Sequence, residues 1–150
     1  MDYCCTSWYS GLSCKLKDKL DVLQRKMVRY VLNLDPRAHV GGQHLRGLHW
    51  LSINDRVRFF KLIHVFKVFR GLAPSYVSKD FKPVSLVHNY RTRHSVSDFF
   101  IPSSDEVGVM SYSFRYSAAK AWNDLPPNIK MSTNVNTFKA NLRSFLFKDY

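Results

Sequence analysis

"NDRVRFFKLIHVFKVFRG", Asn54 to Gly71, decides the fold. Phe59, Leu62, Ile63, Phe66 and Phe69 recur at the three- and four-residue steps that put side chains on one helical face. Val57, Phe60, Val65 and Val68 occupy much of the other side. A helix that is apolar nearly all round has to be covered on two sides, so this pattern predicts a central helix from about Asn54 to Arg70. Its charges, Arg56, Arg58, Lys61, Lys67 and Arg70, scatter around the circumference and form no single stripe. Ser52, three residues before Asp55, reads as a capping box with Asp in the acidic place. Gly71 suits the C-terminal cap.

Upstream, Leu16, Leu20, Leu23, Met27, Tyr30, Val31 and Leu34 follow 4-3 spacing, which predicts a helix from Lys15 to Leu34 with that face buried. Asp35-Pro36 is expected to end it, because the residue before proline avoids the α region. A Gly41-Gly42 break leads to a short helical piece around Gln43 to Leu48. Downstream, "APSYVSKDF" reads as a short helix with Pro74 in its first turn. "RTRHSVSDFFIP" has extended character, and Ser103 to Gly108 reads as a turn or hairpin tip. Helix returns near Ser113, with Phe114, Ala118, Ala121, Trp122 and Leu125 on one face and Pro126-Pro127 as its stop. A last helix starts near Asn134 or Asn136 and presents Val135, Phe138, Leu142, Phe145 and Leu146. The expected fold is mainly α, a small bundle of about 4–6 helices with a short extended or β-hairpin segment around 92–109. It is read as a single domain or domain fragment over 1–150: a helical part 13–80, an extended middle 82–110 and C-terminal helices 111–148. Trp50, Trp122, Pro126 and Pro127 are the expected structural anchors.

The charge balance narrows the function. Lys and Arg number 23 against 11 acids, giving +12, and Glu106 is the one glutamate. Such a chain is drawn to polyanions. Little in the sequence resembles an active centre. The adjacent acids Asp105 and Glu106 fall in an expected exposed turn, and no Gly-rich phosphate loop or serine elbow is present. Cys4, Cys5 and Cys14 lack zinc-knuckle spacing, and His39, His44 and His49 at five-residue steps would not share a helical face. No cofactor or metal is therefore expected. The odd cysteine count argues against a disulfide framework. No stretch approaches the roughly 18 apolar residues of a membrane span, and the N-terminus has no secretory pattern. The expectation is an intracellular protein, nuclear or cytoplasmic, with no membrane partner.

Two clusters are candidates for RNA or DNA backbone contact. Tyr90, Arg91 and Arg93, beside His94, would place two guanidinium groups on one side of an extended segment, with a ring able to stack on a base. The competing reading is an edge strand protected by charge. Lys15, Lys19, Lys26 and Arg29 line one flank of the first long helix. Their competing reading is a solvated amphipathic border.

The order of phrases carries a resemblance. "LQRKMVRYVLNL", "LRGLHWLSINDRVRFFKLIHVFKVFRGLAPSYV", "YRTR", "AAKAWNDLPPNIK" and "TFKANLRSFLF" occur in that sequence over nearly the whole chain. The most specific pieces are Leu48-His49-Trp50-Leu51, Gly71-Leu72-Ala73-Pro74-Ser75-Tyr76 and Trp122-Asn123 followed by Pro126. Together they resemble the C-terminal, post-palm region of reverse transcriptases of LINE-type (non-LTR) retrotransposons, in particular jockey-like and related animal elements. That family's palm holds its metal ions with an Asp-Asp pair, and this chain has none. The resemblance therefore implies a non-catalytic fragment of an RNA-directed DNA polymerase, with RNA or DNA and the rest of the polymerase as partners. The alternative is a packing or protein-interaction module, or a relic without independent activity.

Overall fold

The computed structural model describes residues 3–87, 97–101 and 113–149. Among them are eight α-helices and no strand: α1 (Cys5–Trp8), α2 (Cys14–Val31), α3 (Gly42–Gly47), α4 (Ile53–Phe69), α5 (Ser75–Ser78), α6 (Phe114–Asn123), α7 (Pro127–Lys130) and α8 (Val135–Leu146). Four of these, α2, α4, α6 and α8, have ten residues or more. The fold is the expected small helical bundle.

Helix α4 is central, as its all-round apolar pattern requires. It packs against α6 and α8 on one side and α1 and α2 on the other. Ser52 caps it: the hydroxyl accepts from the Asp55 N–H and donates to the Asp55 carboxylate. A continuous core joins Leu51, Leu62, Val65 and Phe66 to Ala118, Trp122, Phe138, Leu142 and Leu146. Phe66 stacks on Phe138 at 4.2 Å, and Trp122 lies 5.3 Å from Phe69. Ala118 and Ala119 are both buried, so α6 can approach α4 closely. Burying one aromatic side chain of this size contributes about 2–3 kcal/mol, so this ring cluster is a substantial source of stability.

Three helices end in the same way. Asn33, His49 and Gly71 each adopt a left-handed conformation, with φ of 48°, 54° and 68°. After each of them one N–H reaches back five residues: Leu34 to Arg29, Trp50 to Leu45 and Leu72 to Lys67. This is the Schellman closure of a helix C-terminus. It corrects the expected end of α2. The helix stops at Val31, because Asn33 turns the chain before Pro36 is reached.

The phrase "WNDLPPNIK" does more than stop a helix. Trp122 Nε1 donates to the Ser97 carbonyl at 2.7 Å. The Asn123 carboxamide accepts from the Phe99 N–H at 3.0 Å and donates to the Phe99 carbonyl at 2.8 Å, as a strand neighbour would. The buried Lys130 ammonium pairs with Asp98 at 2.8 Å and donates to the Asn123 carbonyl at 3.0 Å. Three side chains thus clasp the segment 97–99. Asn123 is the last residue of α6, and its side chain serves the neighbouring segment. Pro126 and Pro127 end α6 and also begin α7, where Pro127 takes the first helical position, at which a missing N–H costs nothing.

The clasped segment pairs on its other side with residues 82–84. Pro83 and Phe99 form an antiparallel bridge, Val84 N–H bonds to the Asp98 carbonyl and Phe100 N–H to the Lys82 carbonyl. Most of the hairpin expected around 92–109 lies outside the described residues. The described piece, 97–101, is extended and takes its partner from 82–84.

Candidate nucleic-acid interface

Helix α2 is oriented differently from the expectation. Val28 is its one fully buried residue, and Lys17, Leu20, Asp21 and Gln24 share the inward side. Gln24 Nε2 anchors that side by donating to the Leu51 carbonyl at 2.8 Å. Leu16, Leu23, Met27 and Val31 are 41–52 % exposed, and Tyr30 is 89 % exposed. At 100° per residue, the inward direction is turned roughly a quarter of the circumference from the apolar stripe. The physical reason lies in the neighbours. Among the described longer helices α4 is the main neighbour of α2, and one main neighbour covers a narrow strip.

That rotation turns Lys15, Lys19 and Lys26 outward. All three are exposed and lie within about 40° of one another around the helix. Lys15 and Lys19 are one turn apart, about 6 Å along the axis, and Lys26 lies about 10 Å further on. The half-buried Asp21 sits on the inward side, and Asp18 is the carboxylate that shares the groove with the three lysines. Tyr30 stands beside them. Arg29 is not part of this set. It is half-buried, and its Nε donates to the Ala38 carbonyl at 2.8 Å, which ties the 34–40 connection to α2. Tyr90, Arg91 and Arg93 lie outside the described residues.

Of the expected anchors, Trp122 is fully buried at the centre of the ring cluster. Trp50 is half-buried and lines an apolar groove with Trp8, Met27 and Ile53. Among the described residues no three His, Cys or acidic side chains converge in a way that could hold a metal ion, and no helix is long and apolar enough to cross a membrane.

A residue the sequence reading left on the surface is inside. Lys61 is 6 % exposed, and its ammonium donates to Ser10 Oγ at 2.5 Å and Ser117 Oγ at 2.8 Å. Burial, and secondarily the charge of Lys17, lower its pKa from 10.5 to about 8, with Cys5 acting in the opposite direction. The available signal was the all-round apolar character of α4, since a lysine at position 61 of such a helix has to face some neighbour. No family model, curated protein or solved structure matches the chain.

Proposed function

We propose that this chain is a non-catalytic C-terminal segment of a LINE-type reverse transcriptase whose own biochemical role is sequence-independent contact with the backbone of RNA or DNA. The supporting observation is the outer face of α2, where Lys15, Lys19 and Lys26 stand together with the exposed ring of Tyr30. Closely spaced cations beside an aromatic platform are what a single strand requires: charge for the phosphates and a ring for a base. The net charge of +12 adds long-range attraction.

The test is binding of a labelled single-stranded RNA and DNA across a salt series. Affinity falls steeply with salt, and the combined variant K15E/K19E/K26E lowers the slope of log K against log salt by about 2–3. An unchanged slope removes this face from the reading.

The second reading, a packing module, draws on the exposed apolar side chains of the same helix. Leu16, Leu23 and Met27 would then be covered by another part of a polymerase body. A chain that stays folded and ignores both nucleic acids at low salt favours it.

A further inference from the structure

Lys61 looks onto a cleft of about 310 Å³ between the Tyr9–Gly11 turn, α2, α4 and α6. We propose that this cleft is an oxyanion site in which Lys61, Ser10, Lys17 and Arg58 hold a phosphate group.

Charge is unbalanced around the cleft. Lys17, Arg58 and Lys61 all line the cleft, and no carboxylate lines it among the described residues. Burial, and after it the charges of Asp21 and Asp55, raise the pKa of the Tyr9 hydroxyl, yet neither acid lines the cleft. Lys130, the other buried lysine, follows the usual rule and pairs with Asp98. Lys61 is held by two neutral hydroxyls. A buried cation without a carboxylate partner is costly, and one that faces two further cations is more so, with the Cys5 thiol as a lesser offset.

The donors left over are those an oxyanion needs. An ammonium has three N–H groups, and Ser10 and Ser117 take two of them. The Ser117 hydroxyl spends its own hydrogen on the Ser113 carbonyl, at 2.8 Å, with the Phe114 carbonyl close by. Ser10 accepts from Lys61 and keeps its O–H to donate. Lys17 lies over the Tyr9 ring, 5.3 Å from its centroid, which holds its stem at the rim of the cleft. Arg58 also lines the cleft, with a fork that matches two phosphate oxygens. Asn54 and Lys61 share this face of α4 with Arg58, at steps of four and three residues, so the backbone of the central helix fixes the spacing of the site. The cleft is open to one side, so the phosphate enters from solvent as inorganic phosphate or as part of a nucleic-acid strand.

The inference stands apart from the outer face of α2, because none of Lys15, Lys19 and Lys26 lines this cleft. The test is titration of the whole 150-residue chain with inorganic phosphate against chloride at matched ionic strength, followed by amide chemical shifts. Saturable shifts are expected at Ser10, Arg58, Lys61 and Ser117. They disappear in K61M, whose unbranched apolar side chain fills the same space, and Kd rises about tenfold in R58Q, a partly exposed position that leaves the core intact. K15E/K19E/K26E keeps them. Shifts that are linear, spread over the surface, or unchanged in both K61M and R58Q overturn the site. Displacement of phosphate by a short oligothymidylate supports the site with a strand phosphate as its ligand. A site that fills with inorganic phosphate and ignores the oligonucleotide supports it with the free ion as ligand.

Discussion

Trp122 and Met27 sit on helices whose sequences promise the same thing, an apolar stripe at three- and four-residue steps, and they end in opposite environments. Trp122 is fully buried, ringed by Phe66, Phe69, Phe99 and Phe138, with its one polar atom bonded to Ser97. Met27 is 45 % exposed beside Leu23 and Val31. The difference lies in what surrounds each helix. Helix α6 has α4 against it and the 97–99 segment clasped across its end, whereas α2 meets only an edge of α4. Amphipathic spacing specifies a helix and a face; coverage of that face is a property of the neighbours.

The largest expected effect breaks the comparison at its buried end. W122A removes the centre of the ring cluster and the bond that holds Ser97, and is expected to destabilise the chain by about 3–5 kcal/mol. Chemical denaturation followed by circular dichroism measures it. A loss below about 1 kcal/mol would mean that the cluster around α6 does not organise the core. The same experiment on M27A is the control, and the gap between the two measures how unequal the two ends of the molecule are.

A middle-sized effect concerns the buried cations on the two sides of α4. Lys130 has Asp98, whereas Lys61 has two hydroxyls and, within electrostatic reach, the Cys5 thiol, but no carboxylate. In the unfolded chain Lys61 holds its proton to about pH 10.5, and in the fold it releases it near about 8. Between those values the unfolded state binds more protons, so stability rises with pH across that window, and the penalty is fully present below 8. The cleft is partly open to water, so the gain is on the order of 1–2 kcal/mol. Tyr9, whose pKa is raised by burial and by Asp21 and Asp55, works the other way above about pH 10, so the rise is read between about pH 8 and 10 as a difference from K61M, which keeps the other titrating groups. Denaturation midpoints of the parent chain measured in chloride should climb over that range. K61M should be more stable near pH 7 and flat across it. A parent profile as flat as that of K61M would show that Lys61 is already compensated.

Much of this contrast was legible in the sequence, and the rest was not, for reasons that can be named. The apolar circumference of 54–70 fixes α4 as central, and Ser52-Asp55 and Gly71 mark its ends, because these signals are local. The left-handed residues Asn33 and His49 were not legible, since Asn and His occupy that conformation only when context favours it. The clasp was not legible either. Trp122 to Ser97 and Asn123 to Phe99 span 25 and 24 residues, and no periodicity reports a contact at that range. For the candidate interface, spacing alone grouped Lys15, Lys19 and Lys26. It also grouped Arg29, whose guanidinium is taken by a backbone carbonyl nine residues away. Lys61 looked like one more surface charge because the five cations of α4 scatter around its circumference, so no single polar side separated the one that faces inward from the rest.

The smallest expected effect tests the exposed end of the comparison. L23Q/M27Q replaces two half-exposed apolar side chains on α2 with polar ones of similar length and comparable helix propensity. If nothing within the chain covers them, stability changes by no more than about 0.5 kcal/mol, against several for W122A. A loss of about 2 kcal/mol or more, in the same denaturation experiment, would mean that these side chains are buried in the folded chain in solution, by a segment of the chain or by a second copy. Repeating the measurement over a hundredfold range of protein concentration separates those two, because only a second copy makes the loss concentration-dependent. A near-zero value at every concentration instead leaves the apolar flank of α2 free beside Lys15, Lys19 and Lys26. The same variant should then bind nucleic acid with an unchanged salt slope, since Leu23 and Met27 carry no charge to exchange for counterions.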